Sequence, residues 1–305
     1  MRIVNFLPAL LATVPAVAAT KGTLGLALGN KNADGSCKAT GDYEADFEVL
    51  KGVSNIVRTY SASDCNTAQN IIPAAKAKGF QVVLGVWADY TDSFNKDFDA
   101  LKQFVPGNEN VVSAITVGSE ALYRKSLTAQ QLLNLIQQVQ AQFPKVAVGT
   151  VDSWNKFADG TADPIIQGGV TYFLANGFAY WQDVSINDAH NVYFDDVTQA
   201  KNHILQVAGS NASKIRFGNG ETGWPTDGGS NYGSHSVAGT KNAEQFYQTS
   251  VCPMLASGVD VFYFEAFDET WKPNSVGDNG QSMDEKHWGL FTADGKPKFN
   301  INCPN

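Results

Sequence analysis

Along the chain, short runs of β-branched and apolar residues alternate with longer segments in which apolar residues recur every three or four positions. Eight runs read as strands: Leu24 to Leu28, Asn55 to Tyr60, Gln81 to Trp87, Val112 to Val117, Val146 to Val151, Tyr172 to Ala175, Ile215 to Gly218 and Val259 to Phe264. Their apolar residues are nearly continuous rather than alternating, the pattern of parallel strands covered on both faces. Among the intervening segments the clearest helix is predicted from Thr128 to Phe143. There Leu132, Leu135, Ile136, Val139 and Phe143 share one face, and Thr128 with Gln131 makes a capping box at the start. Phe94, Phe98, Leu101 and Val105 repeat the helical spacing, as do Val197, Ala200, Ile204 and Val207, and Ala243, Phe246 and Tyr247.

Eight strand-then-helix units with no Pro-rich or Ser-rich linker predict one domain of the α/β class, a single (β/α)8 TIM barrel. An open dinucleotide-binding sheet fits less well. Gly25 and Gly29 lack the Gly-x-Gly-x-x-Gly spacing, and Gly228-Gly229 opens no helix. In a barrel the chemistry gathers at the carboxyl ends of the strands.

The chain has 305 residues, 43% of them hydrophobic, enough for one large core. With 22 basic and 30 acidic residues and a net charge of −8, it has no surface for neutralising phosphates, so no nucleic-acid partner is expected. The 11% aromatic content suits a neutral, flat-faced substrate instead. Met1-Arg2, an apolar stretch from Ile3 to Val14, and Pro15-Ala-Val-Ala-Ala19 form the charged start, apolar middle and small-residue exit of a secretory signal. Residues 1–18 are therefore read as a signal peptide and 19–305 as the working domain, expected to be a secreted monomer. The leader is too short to span a bilayer, and no membrane span is expected elsewhere. Cys37, Cys65, Cys252 and Cys303 would then sit in an oxidising compartment and form two disulfides. Three connectivities are open; Cys37 with Cys65 and Cys252 with Cys303 is favoured because each would tie one end of the chain. Asn211-Ala212-Ser213 is a glycosylation sequon in a polar turn.

The predicted strand ends carry Tyr60, Trp87 with Asp89, Glu120, Asp152 with Trp154, Asn176 with Tyr180 and Trp181, Glu221 with Trp224, and Glu265 with Asp268 and Glu269. There is no Gly-x-Ser-x-Gly elbow and no His-x-x-x-His pair, so serine and zinc hydrolase readings lack their parts, and neither metal nor cofactor is expected. Glu120 ends Val117-Gly-Ser-Glu120, and Glu221 stands in Gly220-Glu-Thr-Gly-Trp-Pro225. Cleaving an acetal needs a proton for the departing oxygen and an electron-rich group for the anomeric carbon, which two carboxyl groups in different ionisation states supply. Either glutamate could instead cap a helix or pair with Arg58 or Lys272, but the glycines flanking Glu221 are costly for a mere cap. Trp87, Trp154 and Trp181 are candidates for packing sugar CH faces or for closing the barrel mouth, with Trp181 and Trp224 the preferred sugar platforms. The other Asp and Glu residues are read as a solvated face.

Ile215-Arg-Phe-Gly-Asn-Gly-Glu221-Thr-Gly-Trp-Pro-Thr226 resembles the nucleophile signature of glycoside hydrolase family seventeen. Tyr60-Ser-Ala-Ser-Asp-Cys-Asn66, Val117-Gly-Ser-Glu-Ala-Leu-Tyr-Arg124, Phe264-Glu-Ala-Phe-Asp-Glu-Thr-Trp-Lys272 and Glu285-Lys-His-Trp-Gly-Leu-Phe291 extend the resemblance over nearly the whole chain, closest to the fungal cell-wall β-1,3-glucanase and glucanosyltransferase subgroup. The resemblance implies a barrel with acid/base Glu120 on strand four and nucleophile Glu221 on strand seven. Glu269, Lys272 and Glu285 would support the substrate, with Tyr60 and Asn176 on the substrate side. The partners implied are β-1,3-glucan and laminari-oligosaccharides at the cell wall, cleaved with retention and passed to water or another glucan chain. Two positions depart from the family: Ser119 stands where Asn commonly precedes the acid, and Phe178 where Tyr is common, leaving Tyr180 to replace its hydroxyl. The alternative is a wall protein that binds glucan without cleaving it, against which both glutamates argue.

Overall fold

Eight parallel strands follow one another around a closed barrel in chain order: β1 (Leu24–Ala27), β2 (Ile56–Arg58), β3 (Gln81–Val86), β4 (Val112–Ser119), β5 (Ala147–Ser153), β6 (Tyr172–Asn176), β7 (Arg216–Thr222) and β8 (Asp260–Tyr263). Leu24 opposite Val261 begins the register that joins β1 to β8 and leaves no open edge. This is a computed structural model that describes residues 20–228, 232–277 and 279–304; the proposed leader at 1–18 lies outside them. All eight predicted strands are present, and the closed parallel barrel is the expected (β/α)8 fold.

The helices are α1 (Thr40–Leu50), α2 (Thr67–Lys78), α3 (Thr91–Phe104), α4 (Ala129–Gln142), α5 (Trp154–Ala158), α6 (Asp163–Gln167), α7 (Ala189–Ala208), α8 (Thr240–Phe246) and α9 (Cys252–Ala256). At α4 the capping box forms: Thr128 Oγ1 accepts from the Gln131 backbone N–H, and Gln131 Oε1 accepts from that of Thr128. The face predicted from spacing is the buried one, with Leu132, Ile136 and Val139 inside. After β8 a short antiparallel hairpin, β9 (Asn274–Val276) with β10 (Ser282–Asp284), rises beside the barrel mouth.

The strands bury side chains on both faces, which explains their unbroken apolar runs. Ile56, Val83, Ala114, Val151, Tyr172, Leu174 and Phe262 fill the barrel interior. Leu26, Val57, Val82, Leu84 and Ile115 belong to the larger layer shared with helix residues such as Phe47, Ile71, Leu101 and Ile136. Each such aliphatic or Phe side chain contributes about 1.5–3 kcal/mol on leaving water. The disulfides pair Cys37 with Cys65 and Cys252 with Cys303, the favoured connectivity. Asn211 lies exposed on a tight turn over Gly209–Lys214. Among the described residues no helix is long and apolar enough to cross a membrane.

Candidate active site

At the carboxyl end of β4 the backbone leaves ordinary strand geometry. Gly118 has φ of 76° and Glu120 φ of 56°, and the β4–β5 register shifts between Thr116 and Ser119. A left-handed conformation at a residue with a Cβ costs on the order of 1 kcal/mol or more and persists only where neighbours enforce it. Here the Glu120 N–H donates to the Val151 carbonyl at 3.0 Å. The turn that follows is gripped by buried Asp152 of β5, which accepts from the N–H groups of Leu122 and Tyr123 at 2.8 and 3.1 Å. Burial pushes the Asp152 carboxyl up to about 6, against the backbone donors that oppose the rise.

Glu221, the sixth residue of β7, is 8% exposed and faces the same cleft. Its Oε1 lies 2.6 Å from Nη1 of Arg58, a guanidinium with no exposed surface at the end of β2. Arg58 also donates to the Gly220 carbonyl at 3.1 Å and to Ser119 Oγ at 3.0 Å, and its guanidinium lies 4.7 Å from the centre of the Tyr60 ring. One buried cation therefore joins both glutamate-bearing strand ends and supplies a fixed charge to Glu221 alone. Gly220 is required by space, since a Cβ there would meet Asn176 Oδ1 at 2.7 Å. At Gly223 a Cβ would stand 2.2 Å from the Phe264 carbonyl. The glycines flanking Glu221 thus let β6 and the chain beyond β8 close in on it.

Asn176 ends β6 in register with Glu221, and its Nδ2 donates to Glu120 Oε1 at 2.9 Å. Its side chain thus holds Glu120 while its backbone pairs with the Glu221 strand. The Glu120 carboxyl is pushed up to about 7, first by burial and then by the Glu221 charge, with the Asn176 amide pulling the other way. Burial and the neighbouring Glu221 also hold the Tyr60 phenol well above its ordinary range.

A second set of charges follows β8. Lys272 reaches Glu265 Oε2 at 2.6 Å and Glu269 Oε2 at 3.0 Å. Burial alone would lower Lys272, but the surrounding carboxylates raise it on balance. Glu285 is shifted up by burial, with Lys272 opposing and Glu221 adding to the rise. Glu269, Lys272 and Glu285 line the cleft, so this predicted group is brought together beside Glu221.

The cleft has a volume of about 1460 Å³. Tyr60, Ser119, Glu120, Asn176 and Glu221 form its floor, and Trp87, Tyr123, Trp154, Phe178, Trp181 and Trp271 stand among its walls. Two predicted substrate contacts must be corrected. Tyr180 and Trp224 have no exposed surface and do not line the cleft. The Tyr180 hydroxyl turns away to donate to Met283 Sδ at 2.8 Å, and Trp224 Nε1 donates to the Val237 carbonyl at 2.9 Å. Both belong to an aromatic layer behind the wall, packed edge to face on each other at 5.0 Å, while Trp181 stacks on buried Trp288 and faces the cleft. Tyr180 therefore supplies no hydroxyl in place of the one absent at Phe178.

Three participants escaped the sequence reading. Arg58, expected only as an ion-pair partner, carries its signal in the sequence as a cation inside the run Ile56-Val-Arg-Thr-Tyr60. Glu265, expected at its strand end with no assigned role, is the carboxylate closest to Lys272. Asp97, read with the solvated acids, has no exposed surface. Its spacing from Phe94 and Leu101 on α3 already placed it on the buried face.

Residues 25–289 match the family described as the BtgE/BtgC glycoside hydrolase domain. A glucan 1,3-beta-glucosidase of Arthroderma benhamiae is 56% identical over 99% of this chain and 98% of its own length. One from Saccharomyces cerevisiae is 42% identical over 92% of this chain and 91% of its own. Among solved structures, a glycoside hydrolase family 17 beta-1,3-glucanosyltransferase from Rhizomucor miehei superposes with a TM-score of 0.77 at 29% identity, covering 92% of this chain and 97% of that one. An active-site mutant of that enzyme in complex with laminaritriose gives a TM-score of 0.77 at 29% identity, over 92% and 98% of the two chains.

Proposed function

The chain belongs to glycoside hydrolase family 17, in its BtgE/BtgC branch, and from that membership we propose that it is a secreted enzyme of the fungal cell wall that cleaves β-1,3-glucan with retention and passes the glycosyl group to water or to another glucan chain. The observation that carries this reading is the asymmetry of two glutamates on one cleft: Glu221 against a buried guanidinium, Glu120 with its carboxyl raised to about 7. Glu120, protonated, delivers its proton to the departing glycosidic oxygen while Glu221 attacks the anomeric carbon. The bond from that carbon to the leaving oxygen breaks, and a glucosyl ester forms on Glu221. Loss of the Glu221 negative charge removes the larger of the two charges that raise Glu120, so Glu120 holds its charge more easily as a carboxylate and can take a proton from the acceptor. Attack of the acceptor oxygen frees Glu221 with the original anomeric configuration.

Asn176 and Arg58 hold the two carboxyl groups in place, and the Glu269, Lys272 and Glu285 group offers donors and acceptors for sugar hydroxyls on the Glu221 flank. Secretion rests on the signal-like segment at 1–18 and on two disulfides, which persist in oxidising compartments. The test is the anomer released first from laminari-oligosaccharides, followed by proton NMR before mutarotation. Initial release of the β-anomer is expected; an initial α-anomer overturns the double displacement.

A further inference from the structure

Trp87 follows β3, the strand that neighbours Glu120-bearing β4, with Val86 in register with Val117. Two side chains reach it directly, and a third holds one of them. Buried Asp97 of α3 accepts from the Trp87 backbone N–H at 2.7 Å, while its other oxygen takes hydrogen bonds from Ser61 and Ser63 at the cleft rim. The Arg124 guanidinium lies 4.7 Å from the centre of the Trp87 ring and is itself held by Asp89, with contacts of 3.1–3.2 Å. Arg124 belongs to the turn that carries the acid: its N–H donates to the Glu120 carbonyl at 2.9 Å, and its side chain donates to the Ser119 carbonyl. A cation packs on one face of the ring, and the partly exposed Trp87 lines the cleft together with Arg124. Building this costs a buried carboxylate and an ordered arginine, more than a lid over a barrel needs.

We propose that Trp87 is the stacking platform for the leaving and accepting glucosyl unit of a β-1,3-glucan, with Arg124, Asp89 and Asp97 as its positioning residues; this rests on the reading of the cleft given above. The side follows from chemistry. The acid protonates the oxygen of the departing sugar, so that sugar lies on the Glu120 flank, and the same place holds the acceptor in the second half of the reaction. Glucose CH groups pack on the indole face, and a chain held there competes with water for the glucosyl ester.

The experiment compares the unsubstituted enzyme with Trp87→Ala, Trp87→Phe, Asp97→Asn and the Trp87→Ala/Asp97→Asn double variant on laminari-oligosaccharides at high concentration, with transfer and hydrolysis products counted by mass spectrometry. Trp87→Ala is expected to lower the transfer-to-hydrolysis ratio about five- to tenfold, and Trp87→Phe, which keeps a flat face, to lower it about twofold. Asp97→Asn is expected to lower the same ratio, and the double variant to add little beyond Trp87→Ala, because both act on one contact. A wild-type ratio in Trp87→Ala overturns the platform, and full additivity in the double variant overturns the positioning role of Asp97. If the unsubstituted enzyme leaves laminari-oligosaccharides intact, the glucan reading itself fails, a result distinct from either.

Discussion

Glu120 and Glu221 are the same residue type at the carboxyl ends of two strands of one barrel, and they are held by opposite means. Glu221 stays inside its strand, where the register with both neighbouring strands shifts, and meets a buried guanidinium through a short ion pair. Glu120 sits just past its strand in a left-handed conformation, meets an amide instead of a cation, and is raised to about 7 by burial beside Glu221. The difference teaches that the proposed division into acid and nucleophile resides in the neighbours: one glutamate is given a charged partner, and the other is left to burial and an amide.

Removing each carboxylate is the severest way to break that comparison. Glu221→Ala is expected to lower kcat by about 10⁴-fold or more, and Glu120→Ala to slow substrates with poor leaving groups most. Added azide should then distinguish the two. Direct attack in Glu221→Ala yields an α-glucosyl azide, whereas interception of the ester in Glu120→Ala yields the β form, and NMR of the products reads the anomer. The same anomer from both variants would erase the distinction.

Removing the cation comes next. Arg58→Met leaves a buried carboxylate unpaired, with an expected loss of about 3 kcal/mol in unfolding free energy and about 100-fold in kcat/KM. Arg58→Lys should recover only part of this, because one ammonium cannot bond Glu221, the Gly220 carbonyl and Ser119 with the geometry of a planar fork. Denaturant melts and steady-state kinetics on the pair measure both losses.

Shifts with pH sharpen the comparison from the Glu120 side. The acid must be protonated, so kcat/KM should decline as pH rises through about 7. Asn176→Ala removes the bond that opposes the rise, so this alkaline limb should move to higher pH while kcat falls about tenfold. Stability follows the same sign. The folded-state value lies above that of an unfolded Glu, so folding favours the protonated form, and stability is lost between the ordinary Glu range and about pH 7. Glu120→Gln should remove that loss, gaining up to about 3 kcal/mol above pH 7 in melts taken across the range.

The smallest effect belongs behind the wall. Tyr180→Phe loses the hydrogen bond to Met283 and the acceptor of the Tyr232 backbone N–H, with an expected cost of about 2 kcal/mol in unfolding free energy and an unchanged KM for laminari-oligosaccharides. A clear rise in KM would return Tyr180 to the substrate.

The sequence and the structure part company in particular places. Strand β7 was predicted to stop at Gly218 but runs to Thr222, because Gly-Asn-Gly-Glu carries little strand preference and is held extended by β6 and β8. The Glu120 shelf was legible as Gly-Ser-Glu after an apolar run, but its left-handed turn depends on Val151 and Asp152, thirty residues away. Tyr180 and Trp224 were placed in the cleft because aromatics after a strand end suit both a sugar platform and a packing layer. The deciding contacts come from far along the chain, Met283 from β10 and Val237 from the segment before α8.

The order of strands and helices, the buried face of α4 and the positions of Glu120 and Glu221 at strand ends were determined by local pattern, because solvent exclusion acts on each segment with its own period. Only the closed barrel decided which carboxyl faces Arg58, which aromatics face the cleft and which lie behind it. Charge and burial depend on groups brought together from opposite sides of the ring, and no spacing along a chain records that distance.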